Sequence, residues 1–167
     1  RDDAVCGPDS DPCRGADSRE EQRRQRAKIV SALAMADADI VGLIELENNP
    51  SQSLDDIVEA LNERLGSDRY RAVATGAIGR GPIKTGFVYD RTTVQPEGPF
   101  AVFDQSVDRR FSDGRNRPAL AQTFATAAGG RQLTVIVNHL KSKGSPCDDE
   151  GDVNAGDGQG NCNGVRT

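Results

Sequence analysis

Apolar residues recur at helical spacing in two segments of the chain, and each segment is preceded by residues that commonly begin helices. The first pattern predicts a helix from Arg19 to about Met35, with Asp17 or Ser18 as its N-cap. The second predicts a helix from Ser53 to Leu65, capped by Ser53. The apolar positions of the two helices are Ile29, Val30, Leu33 and Ala34, and then Leu54, Ile57, Val58 and Leu61.

Short apolar runs rich in β-branched and aromatic residues predict strands in the rest of the chain. The first run, Asp39 to Glu45, is continuously apolar before its last residue, which is typical of a buried strand. The other predicted strands are Tyr70–Ala74, Ile83–Tyr89, Phe100–Phe103, Leu120–Thr126 and Gln132–Leu140. Gly129-Gly130 marks a hairpin between the last two, and Gly144 to Thr167 is a polar loop. A helix, a strand, a helix and then several strands predict an α+β or layered α/β domain, not a repeat.

The composition limits the class of protein. A chain of 167 residues suits one domain or a large piece of one, but 35% hydrophobic residues and no Trp are low for a self-sufficient core. The apolar runs argue against wholesale disorder, and none approaches the roughly 20 residues of a membrane helix. The chain begins with Arg1 and shows no signal peptide, so we expect it to start after processing or inside a longer chain.

The charge distribution matters more than the total charge for binding nucleic acids. The net charge is −5, whereas phosphate neutralisation needs local Lys and Arg. The segment Asp108 to Arg117 is rich in arginine, and Lys141 and Lys143 add further positive charge. We therefore expect a basic patch on an acidic protein, with divalent metal as a further source of positive charge.

Four cysteines lie in polar loops, two near each end of the chain. Their spacing does not match the close pairs of zinc sites. The simplest of the three possible pairings is Cys6–Cys13 with Cys147–Cys162. Two disulfides would indicate an oxidising compartment and hence an extracellular, secreted protein. The alternative is four free thiols in a cytosolic protein, which the polar surroundings of the cysteines disfavour.

Glu45 and His139 are the candidates for chemistry. Glu45 directly follows an apolar run, so its carboxylate would emerge at the edge of a sheet, where it would suit Mg²⁺. His139, the single histidine, ends the predicted strand and precedes Lys141 and Lys143, so it could bind or protonate a phosphate oxygen. The alternatives are a solvated or salt-bridged loop glutamate and a histidine that only hydrogen-bonds at a strand end.

Several segments together resemble bacterial extracellular deoxyribonucleases, relatives of pancreatic deoxyribonuclease in the endonuclease/exonuclease/phosphatase superfamily. These segments are Arg14–Ser18 followed by Gln25–Val30, then Val41–Asn49, Asn116–Pro118, Val137–Gly144, Ser145–Asp149 and Gly156–Asn163. The resemblance covers nearly the whole chain. It implies a layered α/β/β/α fold in which two sheets pack face to face with helices outside.

The resemblance also implies an activity and assigns residues to it. We expect a secreted, monomeric, Mg²⁺- or Mn²⁺-dependent enzyme that hydrolyses DNA phosphodiesters with little sequence specificity and does not insert into membranes. Glu45 matches the metal-binding glutamate, although Ile44 stands where many superfamily members have Gln. His139 matches the histidine that contacts the scissile phosphate, and Arg117 an arginine that grips the DNA backbone. Lys141, beside His139 in sequence, is a further candidate for binding the substrate, and Asn138 has no assigned role.

Other residues that the resemblance calls for are not found. The first strand with its Asn should precede Arg1, and the Gly-Asp-x-Asn strand and the closing Asp-His pair should follow Thr167. Gly151–Asn154 has the letters of Gly-Asp-x-Asn but lies in a polar loop, so we interpret it as unrelated. We therefore expect residues 1–167 to be the N-terminal portion of one such domain and inactive alone.

Two other functions stay open on the sequence. The chain could belong to another phosphoesterase of the same superfamily, or be a noncatalytic secreted Ca²⁺-binding module. In either case the acidic loop between Cys147 and Cys162 is a possible Ca²⁺ site or only a solvated disulfide loop.

Overall fold

The computed structural model describes residues 5–9, 11–12, 15–111, 113–114 and 116–140. In chain order its elements are β1 (Val5–Cys6), β2 (Asp11–Pro12), α1 (Arg19–Ala36), β3 (Ile40–Glu47), α2 (Gln52–Leu65), β4 (Tyr70–Ala72), β5 (Ile83–Asp90), β6 (Val94–Phe103), β7 (Arg117–Thr126) and β8 (Gln132–His139). Both predicted helices and all six predicted strands are present, so the expected element types are confirmed.

Two antiparallel three-stranded sheets pack face to face. Sheet I has the strand order β3-β5-β4, sheet II has the order β6-β7-β8, and β1 and β2 form a separate small hairpin. A shared cluster lies between the sheets, where Phe87 of sheet I meets Phe124 of sheet II edge-on with ring centroids 5.7 Å apart. This is the predicted two-sheet sandwich.

Both helices lie on sheet I. The core between them and the sheet includes Val30 of α1, Leu54 and Leu61 of α2, and Val88 of β5. Ser18 caps α1 as expected, because its side chain accepts a hydrogen bond from the backbone N–H of Glu21. No helix covers sheet II among the described residues, so this part of the chain has three of the four expected layers.

The predicted cap of α2 is wrong. Ser51 is the N-cap, and Ser53 lies inside the first turn. The Ser53 N–H bonds to the side chain of Asn49, and the Ser53 hydroxyl bonds to the Glu47 carbonyl. Asn49 therefore satisfies a free N–H of the first turn from outside the helix, and the helix can begin before Ser53.

Two strands begin earlier than predicted. β6 starts at Val94, six residues before Phe100, although Pro96, Gly98 and Pro99 favour turns. β6 is an edge strand with a register shift between Glu97 and Ala101, and prolines are tolerated at edges and bulges. β7 starts at Arg117, three residues before Leu120.

The expectation of a buried strand at Asp39–Glu45 is also wrong. β3 lies at the edge of sheet I in the described structure and continues to Glu47. Ile44 is 52% exposed, so the continuous apolar run does not face a core on both sides. The apolar run predicts the strand correctly but not its burial, because such a run does not show how many neighbouring strands a strand has.

Gly42 sets the distance between the two sheets. A Cβ atom at this position would lie 2.5 Å from Cγ2 of Val137, on β8 across the sandwich. Val137 is β-branched and has little freedom to turn away. Only glycine at position 42 therefore permits β3 to approach β8 this closely.

We expect Gly42→Ala to lower the free energy of unfolding by about 1–3 kcal/mol, because the added methyl overpacks the contact with Val137. Adding Val137→Ala should recover part of this loss, so the double variant should cost less than the sum of the two single changes. Gly114→Ala is the control, since a Cβ there meets nothing within 4 Å. Urea denaturation measures all four variants, and strict additivity of Gly42→Ala and Val137→Ala would contradict the contact.

A buried carboxylate closes the end of sheet I at which β5 finishes. Asp90 is fully buried and accepts hydrogen bonds from Arg69 Nε at 2.8 Å and from the Thr92 hydroxyl at 2.6 Å. Arg69 also bonds to Asp37, the C-cap of α1. Burial raises the pKa of Asp90, but the hydrogen bonds from Thr92 and Arg69 outweigh it and hold that pKa below its ordinary value.

This pKa shift predicts an acid-dependent loss of stability. The stabilisation from Asp90 is complete above its ordinary pKa of 3.8 and is lost as the pH falls through the lower pKa of the folded state. We expect Asp90→Asn to cost about 2 kcal/mol at neutral pH, because charged hydrogen bonds are lost. The difference from the wild type should shrink as the pH falls towards about 3, as measured by denaturant titrations. A constant difference across this pH range would show that Asp90 does not contribute through its charge.

Candidate active site

Glu45 and His139 meet at the end of the sandwich opposite Asp90. Glu45 lies on β3 of sheet I and His139 is the last residue of β8 in sheet II. The Oε1 atom of Glu45 lies 3.5 Å from Nε2 of His139. The two residues singled out in the sequence are therefore brought together, although 94 positions separate them in the chain.

The backbone of Glu45 has an unusual conformation. The register between β3 and β5 shifts between Leu43 and Leu46, so a bulge at this point takes up the extra residue. Glu45 has φ of 59°, in the left-handed region that disfavours side chains with a Cβ. Its side chain is 68% exposed and is free to receive a ligand from solvent. Strain of this kind persists where the surrounding structure holds it, often at functional sites.

Arg117 lies beside His139. The two residues are directly opposite each other on β7 and β8, so their side chains share one face of sheet II. Two of their nitrogen atoms, Nε of Arg117 and Nδ1 of His139, are buried without a hydrogen-bond partner among the described residues. Buried polar atoms in this condition require a partner from elsewhere, and a ligand oxygen is one way to supply it.

A buried asparagine, to which the sequence analysis gave no role, fixes the loop that borders this site. Asn48 is 2% exposed, and its amide nitrogen donates to the carbonyls of Ile78 at 2.9 Å and Gly81 at 2.8 Å. Its amide oxygen accepts from the N–H of Ile78 at 2.9 Å. Gly81 packs against the guanidinium of Arg117, where a Cβ would lie 3.3 Å from Cζ. Asn48 thus positions a loop that supports Arg117.

Lys84 ties the same loop to the segment after β3. It is 1% exposed, and its ammonium donates to the carbonyls of Asn49 at 2.7 Å and Gly76 at 2.6 Å. Burial lowers the pKa of Lys84. Lys84 is not among the candidates predicted from the sequence, and the signal for it is a lysine inside the apolar run of β5. Because its ammonium is held by two carbonyls, we assign it to positioning the loops.

One carboxylate of the candidate site, that of Glu45, is accessible to a divalent metal. The described residues contain no group of three or more His, Cys, Asp or Glu side chains arranged to hold a metal ion. Glu45 fits as one ligand, because Mg²⁺ keeps several water molecules and often binds only one or two carboxylates together with substrate phosphate. Glu45 is therefore the residue of this part of the chain that would hold a divalent metal.

Several sequence predictions fall outside the described residues. Lys141 and the Gly151–Asn154 segment are among them, as is the loop between Cys147 and Cys162. Of the four cysteines, only the backbone of Cys6 is described, in β1. The two predicted disulfides and the possible Ca²⁺ site therefore stay predictions.

The comparisons with known proteins identify the fold. No protein-family model matches the sequence, and no curated protein matches it. A crystal structure of ANGEL2, a 2′,3′-cyclic phosphatase, has a TM-score of 0.50 and 17% identity over 73% of this chain. ANGEL2 in complex with adenosine-2′,3′-vanadate has a TM-score of 0.48 and 16% identity over 68% of this chain. Humanized D. rerio TDP2 carrying 14 mutations has a TM-score of 0.45 and 19% identity over 75% of this chain.

The protein has part of the endonuclease/exonuclease/phosphatase fold. ANGEL2 has that fold, and the two packed three-stranded sheets with two helices correspond to a portion of its sandwich. The matched regions cover 33% and 31% of the two ANGEL2 chains and 46% of the TDP2 chain. The predicted fold class is thereby confirmed. Among the described residues, no helix combines the length and the apolar character needed to cross a membrane.

The conformation of Glu45 predicts that glycine at this position makes the protein more stable than alanine does. Glu45→Gly and Glu45→Ala both remove the carboxylate, but only glycine adopts a φ of 59° without strain. We expect the free energy of unfolding of the glycine variant to be about 1 kcal/mol higher than that of the alanine variant. Thermal or urea denaturation of the two proteins measures the difference. Equal stability of the two variants would contradict the strained bulge.

Proposed function

We propose that this chain supplies one side of the active site of a metal-dependent phosphodiesterase, and that its substrate is DNA. The observation that carries the proposal is the approach of Glu45 to His139, with Arg117 beside them. These groups combine a carboxylate for a metal, an imidazole and a guanidinium at one end of the sandwich. The set suits a phosphate diester, which carries a negative charge and hydrogen-bond acceptors.

Each side chain has a task that follows from its position. The Arg117 guanidinium would pair with a phosphate oxygen, because its Nε has no acceptor among the described residues. The His139 imidazole would hydrogen-bond a phosphate oxygen next to it. The Glu45 carboxylate would hold Mg²⁺ or Mn²⁺, and such a metal stabilises charge on the phosphate and the leaving oxygen. Contacts to phosphates carry no sequence information, so cleavage should be largely nonspecific.

The structural comparison supports the class of reaction more than the substrate. ANGEL2, at a TM-score of 0.50, is described as a 2′,3′-cyclic phosphatase, so this fold is found in an enzyme that acts on phosphate esters. The choice of DNA rests on the resemblance of the sequence to extracellular deoxyribonucleases. Secretion and the pairs Cys6–Cys13 and Cys147–Cys162 belong to the same proposal.

We also propose that the base for the attacking water comes from further strands of the same domain. β3 and β8 each lie at an open edge of their sheets in the described structure. A groove of about 440 Å³ borders β3 and is lined in part by Ile29, Leu43 and Ile44. On β8, Leu133 is 60% exposed and Ile136 is 58% exposed. Unpaired edges and exposed apolar side chains are what additional strands would cover, and residues 1–167 alone should then be inactive.

Two substitutions test the site in the full-length protein that contains this chain. Glu45→Gln should reduce plasmid nicking by at least about 100-fold and alter its Mg²⁺ dependence, because an anionic ligand is lost. His139→Ala should lower turnover by about 100-fold, because a contact to the reacting phosphate is lost, while the thermal melting temperature is retained. Glu20→Gln, in the exposed first turn of α1, is the control.

This experiment, together with hydrolysis of small phosphate esters and calorimetry with Ca²⁺ on the wild type, separates the alternatives. Wild-type rates for both Glu45→Gln and His139→Ala would show that the site is wrong. Activity on small phosphate esters without nicking of DNA would indicate another phosphoesterase of the same fold. Calcium binding without hydrolysis of any ester would indicate a noncatalytic module.

A further inference from the structure

The arginine-rich loop between β6 and β7 lies at the same end of the molecule as the candidate active site. It leaves β6 at Phe103 and enters β7 at Arg117, the residue that pairs with His139. The loop therefore ends directly at the candidate active site.

Side-chain contacts and hydrogen bonds fix the conformation of the loop. Phe111 is buried and its ring meets that of Phe103 edge-on, with centroids 5.2 Å apart. Asp104 accepts a hydrogen bond from the backbone N–H of Ser106 at 2.9 Å, and Asp113 accepts one from the N–H of Gln105 at 3.0 Å. The aromatic contact anchors the loop to sheet II, and the carboxylates hold its turns.

A third aspartate of the loop, Asp108, also accepts hydrogen bonds from the loop itself. Asp108 accepts from the backbone N–H of Arg110 at 2.9 Å and from the guanidinium of Arg110 at 2.7 Å. The hydrogen bonds from Arg110 lower the pKa of Asp108 to about 2, so this carboxylate is charged at neutral pH. The three aspartates thus face the backbone or side chains of their own loop.

The two described arginines of the loop extend into solvent. The side chain of Arg110 is 91% exposed in its ion pair with Asp108. Arg109 is exposed and has no ion-pair or hydrogen-bond partner among the described residues. An exposed ion pair contributes little stability, so a phosphate can replace Asp108 as the partner of Arg110 at small cost.

We propose that Arg109 and Arg110 bind a second phosphate group of a polynucleotide backbone, beyond the phosphate held at Arg117 and His139. This inference rests on the proposed function and narrows it. A substrate with a single phosphate ester offers one anionic group, whereas a nucleic acid strand offers a row of phosphates. The loop therefore favours polymeric nucleic acid over a mononucleotide or a sugar phosphate.

The test measures binding separately from cleavage. Fluorescence anisotropy of a labelled duplex of about 20 base pairs, in EDTA, follows binding to the full-length protein between about 50 and 200 mM salt. We expect Arg109→Ala with Arg110→Ala to weaken binding about tenfold and to reduce the slope of log K against log salt by about 1 to 2. The loss should be similar for different DNA sequences, because phosphate contacts do not read bases.

The chain offers a matched control on the same sheet. Arg131 is exposed in the β7–β8 turn, at the opposite end of sheet II, so Arg131→Ala removes the same charge away from the site. We expect it to bind DNA like the wild type. If the Arg131 variant and the double variant lose the same affinity and slope, the loop is not a phosphate site.

Two further variants show whether a loss of binding comes from the lost charge or from a change in the conformation of the loop. Arg109→Lys keeps the charge and should restore most of the binding that Arg109→Ala loses. Asp108→Asn releases Arg110 from its ion pair and should bind DNA more tightly than the wild type. Failure of the lysine variant to bind better than the alanine variant would overturn the proposal, and so would weaker binding by Asp108→Asn with an unchanged melting temperature.

A small chromogenic phosphodiester distinguishes this inference from the proposed function. The double variant should hydrolyse it at the wild-type rate, because that substrate reaches only the first phosphate position. If the wild type hydrolyses neither the small ester nor DNA, the proposed function is wrong, and the anisotropy result still decides whether the loop binds phosphate. If both are cleaved but the double variant has an unchanged KM for DNA, only the inference about the loop is wrong.

Discussion

The close approach of β3 and β8 at Gly42 and Val137 is the constraint on which the site depends. Glu45 lies three residues after Gly42, and His139 lies two residues after Val137. Strands advance about 3.3 Å per residue, so the distance between the sheets at the glycine also sets the distance between the two candidate site residues. A larger residue at position 42 would separate the sheets, and the 3.5 Å contact of Glu45 with His139 would lengthen.

Buried polar groups then hold the loops around this contact in place. Asn48 and Lys84 are nearly inaccessible, and both bind backbone carbonyls of the segment between β4 and β5. Leaving such groups unpaired in the interior is costly, so the loops cannot shift without losing these bonds. The same rigidity explains how Glu45 keeps a left-handed conformation that it would not adopt in an isolated strand.

The elements could be predicted from the sequence where their apolar spacing was clear, as in α1, α2 and β5. The first half of β6 could not, because Pro96, Gly98 and Pro99 favour turns and only an edge position tolerates them. The pairing of Glu45 with His139 depended on resemblance, since no local pattern joins residues on different sheets. Lys84 leaves a signal in the sequence, as a lysine inside the apolar run of β5, but neither its partners nor those of Asn48 could be predicted, because they are backbone carbonyls in other loops.

The distribution of charge reconciles an acidic protein with the polyanionic substrate that we propose for it. A net charge of −5 repels DNA at long range, but salt screens charges more than about 10 Å apart at moderate ionic strength. A bound nucleic acid strand would therefore interact mainly with the charges on the nearby surface. Asp90 is buried at the far end of sheet I, bonded to Arg69, and the aspartates of the β6–β7 loop accept hydrogen bonds from their own loop. Since Arg109 and Arg110 project from that loop, the end of the sandwich that carries the candidate site presents cations to solvent despite the net negative charge of the chain.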